Sequence, residues 1–158
     1  MQAITPCLWF DDNALEAAEF YVSLFEDSEV TSVSRLPADH GGESKVVMVT
    51  FTLDGLAFQA LNGGQGRKFS EAVSVAKVVS GQAEVDRLWH ALTADGGEPG
   101  RCGWLTDRFG LSWQIVPSRL SELLGDPDRA GADRAMQAML SMSKIDISAL
   151  EAAFANSN

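Results

Sequence analysis

Histidine and cysteine are nearly missing from this 158-residue chain, with two of each, and acidic residues outnumber basic ones 22 to 12. Two cysteines cannot build a disulfide framework or a four-ligand zinc site. Cys7 and Cys102 each stand among apolar or aromatic neighbours, so both read as buried small hydrophobes. The net charge of −10 opposes phosphate backbones and anionic lipid surfaces, which argues against nucleic acid and membrane as partners. No stretch approaches the about 20 consecutive apolar residues of a membrane span, and Met1 to Phe10 lacks the basic and long apolar regions of a secretion signal. A cytoplasmic protein is expected.

What is present is apolar pattern. Hydrophobic residues make up 46% of the chain, enough for one good core. "ITPCLWF" reads as a strand, and Asp11-Asp12-Asn13 offer N-caps to a helix on which Ala17, Phe20, Tyr21 and Leu24 share one face. "EVTSVSRL" and "KVVMVTFTLDGLAFQAL" read as strands, the second split by a hairpin turn at Asp54-Gly55. The order then repeats. "EAVSVAKVVS" is strand-like, and the helix after it carries Val85, Leu88, Trp89 and Leu92 at the same spacing, ending at Gly96-Gly97. "EAAEFYVSL" lies over "EVDRLWHAL", and "DGLAFQAL" over "FGLSWQIV", which pairs Gly55 with Gly110, Phe58 with Trp113 and Gln59 with Gln114. The polar loop Asp39 to Ser44 absorbs most of the extra length of the first half.

Asn62-Gly63-Gly64-Gln65-Gly66 follows a strand, as the glycine loop of a nucleotide or S-adenosylmethionine site does. Such a loop needs a helix directly behind it, with its terminal amides aimed at phosphate. Arg67-Lys68-Phe69 and a β-branched run follow instead, so the glycines read as a linker between modules.

The doubled βαβββ order, with "PCLWFDDNALEAAEFY", "FQALNGG", "FSEAVSV" and "CGWLTDRFGLSWQIVP", resembles the PhnB-like branch of the glyoxalase/bleomycin-resistance, or vicinal-oxygen-chelate, superfamily. Members often carry the label demethylubiquinone methyltransferase. The resemblance implies an α+β fold of paired βαβββ modules, about 4–62 and 70–117, whose curved mixed sheets surround a cup-like cavity within a domain spanning 1–117. It further implies a homodimer. Residues 118–158 would form a C-terminal helical extension packed on the domain or on the partner, with Leu120, Leu123, Leu124, Met136, Met139, Leu140 and Met142 on its apolar side.

Metal enzymes of this superfamily hold a divalent cation with side chains from the first and last strands of each module. The corresponding positions here fall near Pro6 and Ser74 and on Gln59 and Gln114. Two amides and one hydroxyl supply no carboxylate or imidazole, so no metal is expected, and no other cofactor. His40, in a polar loop, and His90, outside the apolar stripe of its helix, read as solvated; Asp54 and Asp107 read as turn residues. Strand alternation sets Ala57, Gln59 and Leu61 on one face, and Ser112, Gln114 and Val116 on the matching face of the second module. Phe58 and Trp113 then turn toward the helices. The candidate ligand-binding residues are Gln59, Gln114 and Ser74, with Asn62 and Trp104 as further members. The expected function is binding of a small, partly apolar molecule without a metal, with catalysis left open. The alternatives are a metal-dependent lyase, isomerase or dioxygenase, the methyltransferase of the label, and a structural dimer module.

Overall fold

The computed structural model describes residues 4–37 and 44–156, and the chain divides into two compact units, 1–68 and 69–158. His40 and most of the loop from Asp39 to Ser44 lie outside the described residues. In the first unit β1 (Cys7–Phe10) leads through α1 (Ala14–Leu24) to β2 (Glu29–Leu36), β3 (Lys45–Leu53) and β4 (Leu56–Asn62). The sheet order is β1-β4-β3-β2, with β1 parallel to β4 and the other pairs antiparallel. The second unit repeats this plan with β5 (Ser74–Val79), α2 (Gln82–Thr93), β6 (Glu98–Pro99), β7 (Trp104–Thr106) and β8 (Ser112–Pro117), in the order β5-β8-β7-β6. It continues into α3 (Ser118–Leu124), α4 (Arg129–Ser141) and α5 (Ile147–Ala155). The molecule is thus α+β, with two βαβββ modules and a helical C-terminal segment.

Period-2 alternation decides what each sheet buries. Phe58 and Ala60 on β4, and Val49, Phe51 and Leu53 on β3, are buried on the side that carries α1. From α1 the face Ala14, Ala17, Ala18, Tyr21 and Leu24 closes over them. Tyr21, Phe51 and Phe58 form an aromatic column, with ring centroids 6.4 and 5.5 Å apart. In the second unit Val85, Leu88, Trp89 and Leu92 are the buried face of α2, and Leu105, Trp113 and Ile115 are buried on the strands. Each fully buried side chain of this size contributes roughly 1.5–3 kcal/mol, so both faces stabilise their units substantially.

Turns complete the hairpins. Asp54 and Gly55 both have positive φ, 50° and 75°, the backbone of the two-residue turn that matches strand twist. Asp107 is a turn residue of another sort. It is buried, and Oδ1 accepts from the backbone N–H groups of Phe109 and Leu111 at 2.8 and 3.0 Å while Oδ2 accepts from Trp113 Nε1 at 2.9 Å. The same carboxylate therefore shapes the turn and satisfies a buried indole.

Both cysteines depart from expectation. Cys7 is exposed, because it begins an edge strand and alternates with buried Leu8 and Phe10, so apolar neighbours in sequence do not share its face. Cys102 is half-buried at φ 56°, in a turn whose N–H donates to the Met142 carbonyl. The C-terminal helices pack within the second unit. Leu120, Leu123, Ala135, Ile145 and Leu150 form their buried cluster, against which Val116, Met139 and Met142 lie, while Met136 and Leu140 stay exposed.

Candidate functional site

The glycine segment shows what those glycines are for. Gly63 lies directly beneath the Trp9 indole, where a Cβ would overlap the ring carbons. Trp9 Nε1 donates to the Gly64 carbonyl at 2.9 Å, and the amides of Gly63 and Gly64 donate to the carbonyls of Phe10 and Asp11. The Arg67 guanidinium stands 5.0 Å from the ring centroid. No helix follows, since the next element is β5 at Ser74. The amides of Gly63 and Gly64 are thus engaged by the end of β1 and the turn after it.

Asn62 belongs to the same junction. Its Oδ1 accepts from Ala14 N at 2.8 Å, and its Nδ2 donates to the carbonyls of Asp12 and Val46 at 3.1 Å each. The cap of α1 thus comes from the end of β4, while the side chain of the N-cap residue Asn13 makes no capping bond. Alternation puts Asn62 on the same face as Phe58 and Ala60, the helix side of the sheet, and opposite to Gln59. Its amide holds the fold.

Gln59 lies on the other face of β4, half-buried, in register with Cys7 on β1 and Thr50 on β3. Its backbone N–H donates to the Pro6 carbonyl at 2.9 Å, so Cys7 rather than Pro6 is its neighbour side chain. Gln114, Ser74 and Trp104 come together in the second unit. Gln114 Nε2 donates to Ser74 Oγ at 2.9 Å, and Trp104 is the register partner of Gln114 on β7. Ser112 pairs with Ser74 on one side and Thr106 on the other, which completes a polar and aromatic face across β5, β8 and β7.

A cavity of about 460 Å³ opens on this face, lined by Glu71, Gly100, Arg101, Trp104, Leu105, Thr106 and Ser112. Ser112 is only 2% exposed and stands on the wall of this cavity. Thr106, Arg101 and Glu71 are not among the candidates that the sequence singles out. Thr106 shares the alternation of Trp104, Arg101 sits in an irregular segment, and Glu71, at the start of the stretch read as a strand, lies in a turn before β5 begins at Ser74.

The metal positions that the superfamily suggests are filled here by Gln59 beside Cys7, and by Gln114 beside Ala76 with Ser74 in reach. Neutral amides, a hydroxyl and an exposed thiol do not suit a hard divalent cation, whose charge they leave uncompensated. Among the described residues no group of three His, Cys, Asp or Glu side chains is placed to hold a metal ion.

The family model for 3-demethylubiquinone-9 3-methyltransferase matches residues 2–116. A solved structure described as a putative 3-demethylubiquinone-9 3-methyltransferase, PhnB protein, from Bacillus cereus is 33% identical. The match covers 74% of this chain and 100% of that one, with a TM-score of 0.67. Protein PA1353 from Pseudomonas aeruginosa is 26% identical over 74% of this chain and 98% of its own, at a TM-score of 0.58. The genomically encoded fosfomycin resistance protein FosX from Listeria monocytogenes shares the fold, with a TM-score of 0.51, 16% identity, and coverage of 77% and 97%. No curated protein matches the chain. With the βαβββ order present in both units, the chain belongs to the 3-demethylubiquinone-9 3-methyltransferase family, the PhnB-like branch of the vicinal-oxygen-chelate superfamily.

Proposed function

We propose that the protein binds a small, partly apolar organic molecule on the open face of its second sheet, without a metal. The observation that carries this reading is a cavity of about 460 Å³ whose wall combines the Trp104 ring with the hydroxyl residues Ser112 and Thr106. A serine or threonine hydroxyl on a cavity wall can both donate to and accept from a polar group of a ligand. Trp104 supplies a flat apolar wall, and Gln114 with Ser74 extends the polar strip beside it. Gln59 would play the like role in the first unit. A fragment screen read by the Trp104 indole resonance tests the proposal. Hits are expected to shift that resonance and to weaken on Ser112→Ala; hits that leave it unmoved would refute the site.

The fold's own oligomerisation belongs to the same proposal. Val73 and Val78, 72% and 58% exposed, lie beside and on the edge strand β5, a surface suited to a second copy of the chain. Light scattering at low micromolar concentration should give twice the chain mass, and a clean monomer would end the dimer reading.

A further inference from the structure

Resting on the cavity reading above, we infer that the ligand is a monocarboxylate with a flat apolar body, recognised through Arg101. Four basic residues of the same unit close on carboxylates: Arg87 on Glu84, Arg108 on Asp95, Arg119 on Glu122 and Glu151, and Lys144 on Asp86. Arg101 does not. Among the described residues the one hydrogen bond of the Arg101 guanidinium runs from Nη2 to the Leu140 carbonyl at 3.2 Å, and the residue lines the cavity. A guanidinium has five N–H donors in a planar fork, so four remain for an anion, with the geometry that carboxylates accept. In a chain of net charge −10, a cation left without a carboxylate on a cavity wall is a specific feature.

The cation is held in place. The turn that carries it is tied to the last turn of α4 and the residues after it. Arg101 Nη2 reaches Leu140, Cys102 N donates to Met142 O at 2.8 Å, Gly103 N donates to Ser143 O at 2.8 Å, and Ser143 Oγ donates to Gly100 O at 2.5 Å. Fixing the turn lowers the entropy lost when the guanidinium closes on a ligand. This anchor lies outside the residues that the family model matches, so the charged wall of the cavity depends on a segment beyond the family core.

The remaining lining groups set the rest of the ligand. Ser112 and Thr106 add hydroxyls on the same face, and Trp104 offers a ring for stacking or edge contact. Glu71, also on the wall and without a partner among the described residues, opposes a second negative charge. One carboxylate is accepted, and two are not.

The test uses the full chain with 3-phenylpropanoate and its neutral isostere 3-phenylpropanamide, titrated while the Trp104 indole resonance is followed. The carboxylate should bind about tenfold more tightly than the amide, the difference expected between a charge-assisted and a neutral hydrogen bond. Arg101→Gln should erase that preference, Arg101→Lys should keep part of it, and Glu71→Gln should tighten the carboxylate alone. Equal binding of both probes, unchanged by Arg101→Gln, overturns the carboxylate assignment and leaves the cavity reading standing. A Trp104 resonance unmoved by either probe overturns both. Thermal denaturation of each variant separates lost recognition from lost folding, and Glu71→Gln, which removes no bond of the chain, reads the charge effect independently.

Discussion

Gly63 and Gly64 are adjacent glycines with different reasons to be glycine. At Gly63 the obstacle is space, since a methyl group would meet the Trp9 ring, while at Gly64 space is open and φ is 82°, a conformation that side chains rarely adopt. Gly63→Ala should therefore destabilise by about 1–3 kcal/mol through overpacking, and shift tryptophan emission as the indole is displaced. Gly64→Ala should lose about 1–2 kcal/mol through backbone strain, with the emission unchanged. Urea titration with fluorescence distinguishes the two. Identical spectra for both variants would contradict the account of Trp9 as the lid of this turn.

At the scale of elements, the C-terminal helices are fastened to α2 by a small polar latch. Gln82 Nε2 donates to the Ile145 carbonyl at 3.0 Å, Gln82 Oε1 accepts from Ile147 N at 2.9 Å, and Lys144 closes on Asp86 at 2.6 Å. The hydrogen bond from Lys144, and after it the one from Gln82, holds the Asp86 carboxyl below its ordinary value. A carboxyl depressed in the folded state contributes stability above the ordinary aspartate range and loses it as pH falls through the lowered value. Both charges face solvent, so the effect is local and weakened by salt. Amide exchange at Ile145 and Ile147 should accelerate below the ordinary aspartate range relative to Leu88 in the core of α2. Asp86→Asn should show the faster exchange already at neutral pH. Exchange in the variant that follows the parent at every pH would remove Asp86 from the latch.

For the whole molecule the sharpest expectations concern cofactors. The family description names a methyltransferase, yet the amides of Gly63 and Gly64 are bonded to Phe10 and Asp11, and the next element is a strand, not a helix. Calorimetric titration with S-adenosylmethionine should show no saturable binding. A micromolar Kd abolished by Gly64→Ala and Gly66→Ala would reinstate the methyltransferase. For metal, elemental analysis of protein purified without chelator should find far less than one divalent ion per chain. Burying a dication against neutral amides leaves its charge unbalanced. Near-stoichiometric metal that disappears on Gln114→Ala would restore the lyase or dioxygenase alternative. No helix among the described residues is long and apolar enough to cross a membrane.

Periodic burial is local information, so the amino-acid order determined the βαβββ repeat, the buried faces of α1 and α2, the turns at Gly55 and Gly110, and the pairing of Phe58 with Trp113. Alternation along β4 and β8 likewise set Gln59 and Gln114 on the faces opposite those that carry Phe58 and Trp113. Tertiary structure alone decided which polar groups meet. Asn62 caps a helix 48 positions earlier in the chain, Gln114 reaches Ser74 across 40 positions, and Cys7 is exposed despite apolar neighbours. Arg101 is held by a carbonyl 39 positions further on. A hydrogen-bond partner is fixed by strand register and by turns of irregular backbone, which follow from the packing of the whole unit, whereas the apolar period depends only on near neighbours along the chain.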